Sequence, residues 1–319
     1  MTPARIKVWL PISSLGWVNA YVLGDVIVDP GMLTGRSVLE LLRGIRGYLR
    51  PCDVNSVVVT HFHVDHSTAS LILSALGSPK LYIGEGDLRV IRGGVDEYIG
   101  GALELFKENG MPGEEIKEIL KAHPALRLKD AYQEALDLDW SPLREGDVLE
   151  AGGERLRVIE APGHTPGHII LKSDKGWMIV GDTLLPGITP HVTIHDWSTD
   201  PLNDYMNTLR RIIKLEPKIA YPGHRDAIKD PSMRAKEIIE HHNSRLKEII
   251  NILKANGPLP GYEIAKRIRW RTRYTSWSEY PAPEKFFAMG EALAHLKRLE
   301  SMNLIAKRTR NNMIQWYLT

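Results

Sequence analysis

The 319 residues carry 41 Lys and Arg against 39 Asp and Glu, with 43% hydrophobic and 25% charged residues and a formal net charge of +2. This composition excludes a disordered chain, no apolar run approaches the roughly 18 residues of a membrane helix, and the length favours one large domain with a smaller companion. Cys52 is the sole cysteine, which excludes an internal disulfide and a thiolate cluster, so a metal would have to be held by nitrogen and oxygen.

Along the chain, MTPARIKVWLPISS lacks the charged start, apolar middle and small-residue cleavage site of a signal peptide, so a cytoplasmic location is expected. IKVWLPI, NAYVLGDVIVDPG, VNSVVVTH and KLYIGEG are short β-branched runs punctuated by Gly, Pro and Asp and predict strands. SVLELLRGIRGYL and STASLILSALG predict helices. Residues from about 87 to 140 are helical in pattern, with Ile116, Ile119 and Leu120 apolar in EEIKEILKAH and DAYQEALDL following, and are expected to form an insertion or lid. DVLEAGGERLRVIEAPGH, HIILKSDKGWMIVGD and KIAYPGH predict further strands, with Gly152-Gly153 and Asp174-Lys175-Gly176 as hairpin turns. Strands and helices in both halves imply an α/β protein with helices flanking sheets.

The chemistry concentrates in VVVTHFHVDH. Alternate residues of an extended segment point the same way, so His61 and His63 are expected to share a face, with Asp65 and His66 following where the chain leaves the strand. Neutral imidazole suits zinc and a carboxylate adds a harder, charged partner; four such groups at the end of a buried strand point to two metals rather than one. PGH recurs at 162–164, 166–168 and 222–224, each time near a predicted strand end, and IVGDT sets Asp182 at the end of another apolar strand. Glycine before histidine lets the backbone turn tightly and the ring approach a metal.

HFHVDH, APGHTPGH, VGDT and YPGH, in that order, resemble the metallo-β-lactamase superfamily, and the PGHTPGH repeat resembles its glyoxalase II branch. The resemblance implies a four-layer αβ/βα sandwich with a dinuclear site at the sheet edges, and the DPG turn at 29–31 resembles the hairpin that opens that fold. Carried over residue by residue, His61, His63 and His164 would hold the first metal, Asp65, His66 and His224 the second, and Asp182 would bridge them. His168 would stand behind the site and orient a ligand. The sequence departs from the family after His66, where Ser-Thr-Ala-Ser replaces a residue followed by two glycines.

Such a site implies hydrolysis: two cations, zinc by expectation with iron or manganese equally compatible with these ligands, share a water, lower its pKa and give a bridging hydroxide as nucleophile. Asp65 and Asp182 are the expected catalytic carboxylates, Asp65 orienting the hydroxide. No G-x-S-x-G motif offers a covalent route. His191 and His195, in TPHVTIHDW, are candidates for substrate contact.

The tail is distinct. From Arg234 onward there are sixteen Lys and Arg against eight Glu and no Asp, which leaves the preceding residues acidic. Residues 1–235 are therefore expected to form the catalytic domain, and 236–319 a second one. RLKEIINILKANG, GYEIAKRI and FFAMGEALAHLKRLESMN predict three helices, and LIAKRTRNNMIQWYLT a hairpin around Asn-Asn, the order of a winged helix; the arrangement resembles the winged-helix extension of lactamase-like protein 2 and its microbial relatives. In IRWRTRYTSW, Arg269, Arg271 and Arg273 alternate with Trp270, Tyr274 and Trp277, as a single-strand binder would arrange cations and rings. The third helix balances Lys285, Lys297 and Arg298 with Glu284, Glu291 and Glu300, so sequence-specific DNA reading is not expected. The expected function is hydrolysis of a small-molecule thioester or carboxylic ester. The alternatives are cleavage of single-stranded RNA and a non-catalytic, metal-containing binding protein.

Overall fold

The computed structural model describes residues 2–11, 15–123 and 129–319. Two compact units emerge, one comprising Met1–Arg92, Leu128–Pro190 and Thr208–Lys236, the other Gly93–Arg127, His191–Asn207 and Glu237–Thr319.

In the first unit, β1 (Ala4–Trp9), β2 (Trp17–Leu23), β3 (Val26–Val28), β4 (Ser56–Val58), β5 (Lys80–Gly84) and β6 (Trp140–Leu143) form a six-stranded sheet in sequence order. The first three strands pair antiparallel and the rest parallel. A second sheet runs β11-β10-β9-β8-β7, built from β7 (Val148–Ala151), β8 (Glu154–Glu160), β9 (Ile169–Ser173), β10 (Trp177–Gly181) and β11 (Ile219–Pro222). Its hairpins follow local chemistry. Ala151 pairs with Glu154 across Gly152 and Gly153, whose φ values of 57° and 73° are those of a type I′ turn.

Only β10 and β11 pair parallel in this sheet, with Gly181 opposite Pro222, which brings the chain segments after both strands to one edge. Tyr21, Leu23, Val26, Val28 and Val58 of the first sheet form one buried cluster with Leu156, Val158, Ile169, Leu171, Trp177 and Ile179 of the second, so the two sheets face each other across the core.

The helices are α1 (Gly35–Ile45), α2 (Val64–Ser67), α3 (Ser70–Gly77), α4 (Glu85–Gly93), α5 (Val95–Glu108), α6 (Gly113–Ala122), α7 (Lys129–Leu136), α8 (Pro201–Leu215), α9 (Pro231–Asn256), α10 (Gly261–Arg267) and α11 (Ala282–Ser301). Thr34 caps α1 by accepting the Ser37 N–H, and Gly44 lets that helix close on β1, since a Cβ there would stand 2.8 Å from Ile6 Cγ1.

Two elements differ from the sequence reading. The helical pattern was expected to run to 140, but Trp140–Leu143 pairs with β5 as an edge strand, where Pro142 is tolerated because no further strand needs its missing N–H. Helix α8 was not anticipated, although Leu202, Tyr205, Met206, Leu209 and Ile212 are buried at helical spacing. Part of the expected insertion, residues 124–128, lies outside the described residues.

In the second unit, β12 (Leu259–Pro260), β13 (Ile305–Arg310) and β14 (Met313–Leu318) form a sheet ordered β12-β14-β13. Asn311 and Asn312, with φ of 52° and 57°, make the turn between β13 and β14 as the Asn-Asn pair predicts. Asn109, at the end of α5, ties that helix to the C-terminal segment: its Oδ1 accepts from Trp316 Nε1 at 2.8 Å and its carbonyl accepts from the Tyr262 N–H at 3.0 Å. Phe106 packs on Phe286 at 5.4 Å between centroids. Among the described residues, no helix is long and apolar enough to cross a membrane.

Candidate metal centre

The centre lies in the first unit, where four strand ends meet. Strand β4 stops at Val58, and His61 and His63 lie in the loop before α2 rather than in a strand. The pleat therefore does not align them, contrary to the alternation argument; the loop does, with ring centroids 4.6 Å apart.

Asp29 shapes that loop. It follows β3 with a φ of 53°, and its carboxylate accepts from the Thr60 N–H at 2.7 Å and the Thr60 hydroxyl at 2.8 Å, while Oδ2 lies 3.0 Å from His66 Nδ1. The Ser-Thr departure after His66 closes the loop with hydroxyls: Ser67 donates to the Phe62 carbonyl at 2.9 Å, and Thr68 donates to the Val64 carbonyl at 2.7 Å and accepts from the Leu33 N–H.

Seven expected side chains converge. His63 Nδ1 is 3.0 Å from His164 Nε2, and the His61 ring is 4.9 Å from that of His164. In the neighbouring group, His66 Nε2 is 3.3 Å from His224 Nε2, and Asp65 Oδ2 is 3.4 Å from His224 Nε2 and 4.0 Å from His66 Nε2. Asp182 reaches both groups: its Oδ2 is 3.4 Å from His224 Nε2 and 3.9 Å from His164 Nε2, and its Oδ1 is 3.6 Å from His66 Nε2. The sets His61–His63–His164, His61–His66–Asp182 and Asp65–His66–His224 each bring their donor atoms within 4.8 Å of one another.

His168 stands behind this cluster, stacked on His61 at 5.0 Å. Its Nε2 accepts from the Asp182 N–H at 3.1 Å, so the ring proton is on Nδ1, which donates to Thr183 Oγ1 at 3.0 Å. The glycines are spatial requirements here. A Cβ on Gly223 would stand 2.5 Å from His66 Cε1, and one on Gly181 would stand 2.7 Å from His168 Nε2.

The donor atoms suit cations. His224 Nδ1 donates to the Trp17 carbonyl at 2.8 Å, which turns Nε2 inward; His66, held through Nδ1 by Asp29, does the same. Among the described residues, His61 Nε2 and Asp182 Oδ1 are buried without a hydrogen-bond partner.

Burial pushes the carboxyls of Asp65 and Asp182 up, but the histidines around them, His66 and His224 for both and His164 for Asp182, outweigh it and hold both below the usual carboxylate range. Burial and neighbouring histidines push His61 and His63 well below their ordinary value, so both are neutral. Burial also lowers His224, yet the carboxylates of Asp182 and Asp65 raise it well above 6.5. A cluster in which carboxylates must borrow positive charge from histidines is one that a metal ion would satisfy better.

The other candidates lie elsewhere. His191 and His195 belong to the second unit; His195 is half-buried, donates through Nδ1 to the Tyr98 carbonyl at 2.9 Å and stacks on the Tyr98 ring at 3.6 Å, while His191 bonds Thr193 and meets the Phe287 ring at 4.7 Å. In the basic aromatic stretch, Trp270 donates to the Ala265 carbonyl and lies under the Arg245 guanidinium at 4.5 Å, and Trp277 donates to Glu115 at 3.2 Å. Arg273 is exposed and lies over Tyr274 at 5.2 Å. His241, His242 and Glu291 also approach one another closely enough to hold an ion, but Arg245 Nε lies 3.8 Å from Glu291 Oε1 and already supplies the positive charge there.

Sequence reasoning missed Asp29 as more than a turn residue, and it missed Thr60 and Asp87 altogether. The signal that could have found Asp29 is an Asp directly after a short apolar strand; Asp87 comes three residues after β5, inside α4.

The sequence model of the metallo-beta-lactamase superfamily matches residues 15–224, the span that holds all seven side chains. At 26% identity over 97% of this chain and 95% of the other, the chain is similar to the probable metallo-hydrolase YqjP of Bacillus subtilis (strain 168). It is 25% identical to the atrochrysone carboxyl ACP thioesterase of Aspergillus fumigatus, over 74% of this chain and 59% of that one. Among solved structures, a metallo-beta-lactamase family protein from Thermus thermophilus superposes with a TM-score of 0.81 and 25% identity, covering 99% of this chain and 98% of that one.

Proposed function

The chain belongs to the metallo-β-lactamase superfamily and is a metal-dependent hydrolase, and we propose that its seven converging side chains hold two divalent cations and that it hydrolyses a thioester or carboxylic ester. The observation that carries this reading is Asp182, whose one carboxylate lies within 3.9 Å of His164 and within 3.4 Å of His224 and so can serve both groups at once. His61, His63 and His164 would hold the first cation and Asp65, His66 and His224 the second, with Asp182 available to both. When bound, such a pair lowers the pKa of a shared water and polarises a carbonyl oxygen.

The chain's own residues prepare the site. Asp29 and the Trp17 carbonyl fix the tautomers of His66 and His224, and His168 holds the backbone of Asp182. Asp65, kept ionised, is positioned to accept a proton. The donor set of imidazole and carboxylate fits zinc, and it fits iron and manganese as well.

The thioester class is supported by the PGHTPGH segment, which resembles glyoxalase II, and by similarity to a thioesterase. Cleavage of single-stranded RNA has less support, because Trp270 and Trp277 are engaged by residues of their own unit instead of being held out for bases. The order α10, α11, β13, β14 supports a winged-helix-like reading of residues 236–319.

The test is elemental analysis of purified protein followed by a panel of thioesters, carboxylic esters and labelled single-stranded RNA. Two ions per chain and turnover of a thioester or ester that is lost in His63→Ala are expected. Turnover of RNA alone would replace this substrate class, and metal-replete protein inert to the whole panel would favour a binding protein.

A further inference from the structure

Asp87 is fully buried just inside α4, and its carboxylate accepts three hydrogen bonds from two separate loops. Oδ2 accepts from the Phe62 N–H at 3.0 Å and from the Thr165 hydroxyl at 2.9 Å; Oδ1 accepts from the Gly167 N–H at 2.6 Å. Phe62 stands between His61 and His63. Thr165 and Gly167 follow His164.

The surrounding backbone is built for this approach. A Cβ on Gly86 would lie 2.8 Å from Gly167 Cα and from the Pro166 carbonyl oxygen, and one on Gly84 would lie 2.8 Å from Ile169 Cγ2 and closer still to the Gly167 oxygen. The turn from β5 into α4 thus rests directly on the Thr165–His168 loop, with glycines wherever the two backbones meet. Tyr132 adds a further tie by donating to the Phe62 carbonyl at 2.8 Å.

We propose that Asp87 is a positioning residue that locks the His61–His63 loop to the His164 loop and so sets the geometry of the three-histidine cluster, an inference that rests on the dinuclear reading above. The physical reason is distance. His63 and His164 are 101 positions apart in sequence, and their ring nitrogens must stay 3.0 Å apart for both to bind one ion. The Ile169 N–H donates to the Thr60 carbonyl, pairing the backbones of these loops on one side of the histidines. The Asp87 carboxylate joins them nearer the histidines, and, unlike Asp29, it makes no contact with a ligand ring. Burial pushes its carboxyl up to about 7 against the pull of the three donors.

Two variants grade the effect. Asp87→Asn retains an acceptor for at most two of the three donors, and Thr165→Val removes one donor while leaving the carboxylate. Both are compared with wild type by metal content after dialysis against a chelator of known affinity, and by the visible spectrum of the cobalt(II)-loaded protein. Loss of roughly 10- to 100-fold in affinity for one of two ions is expected in Asp87→Asn, a smaller loss in Thr165→Val, and a changed cobalt spectrum in both, with excess metal restoring occupancy. If wild type holds two ions and both variants bind them with unchanged affinity and spectrum, Asp87 has no positioning role. A wild type that binds no metal overturns this inference together with the dinuclear reading.

Discussion

The Nδ1 of His66 lies 3.0 Å from Asp29 Oδ2, with both side chains fully out of solvent. Asp29 also takes both hydrogen-bond donors of Thr60, so a single acid fixes a ring and the loop beside it. Replacing it by Asn leaves at least one of these donors facing an amide N–H. Asp29→Asn is expected to weaken metal binding by about 10- to 100-fold and to cost about 1–3 kcal/mol of stability. Chelator competition and urea unfolding measure the two effects; wild-type affinity in this variant would mean that His66 is oriented by something else.

Asp182 is the only one of the seven whose carboxylate faces histidines of both groups at these distances. In Asp182→Asn one oxygen becomes a nitrogen that cannot coordinate. The expected result is loss of one ion per chain and a fall in hydrolysis on the order of 10²–10³-fold, the scale of removing one electrostatic stabiliser. Retention of both ions with full turnover would remove Asp182 from its bridging position.

Gly223 cannot retreat from a new side chain, because its N–H donates to the Gly181 carbonyl at 2.8 Å and its own carbonyl accepts from the Asn19 N–H at 2.7 Å. Gly223→Ala would push a methyl group into His66 and Asp182. A loss of about 1–3 kcal/mol is expected, together with weaker metal binding. Gly35→Ala, at a position with nothing within 4 Å, serves as the control and should leave both properties unchanged.

His195 is half-buried among its neighbours, and its pKa is pushed down from 6.5 to about 4, chiefly by desolvation. The unfolded chain therefore binds a proton that the folded chain refuses, and stability present above pH 6.5 is lost as the pH falls towards 4. Full protonation costs the folded state about 3 kcal/mol for this group. His295, also pushed down to about 4 by burial, acts in the same direction. Urea midpoints followed from pH 7.5 to 4.5 should fall more steeply in wild type than in His195→Phe, which has no proton to take up; parallel curves would mean that the ring is accommodated in its charged form.

Local chemistry was readable without coordinates. The Gly152-Gly153 and Asn311-Asn312 turns demand positive φ, and both form where those residues stand. The histidines and aspartates at the ends of apolar runs were recognisable as candidate ligands because few other arrangements place so many imidazoles beside strand termini, and the structure brings them together. The reason given for His61 and His63 sharing a face was wrong, since a strand that stops at Val58 leaves them to a loop whose shape depends on Asp29, 31 positions earlier.

Residue types and their order along the chain thus announced the metal-binding chemistry and most of the regular elements, because turns, periodicity and ligand identity are properties of neighbouring residues. Folding in three dimensions decided the rest. The parallel pairing of β10 with β11 sets Asp182 beside His224, packing of the β5–α4 turn makes Asp87 a tie between two loops, and Asn109 joins α5 to the C-terminal segment. None of these follows from local sequence, since each depends on which distant surfaces exclude water together, and that is settled only when the whole core closes.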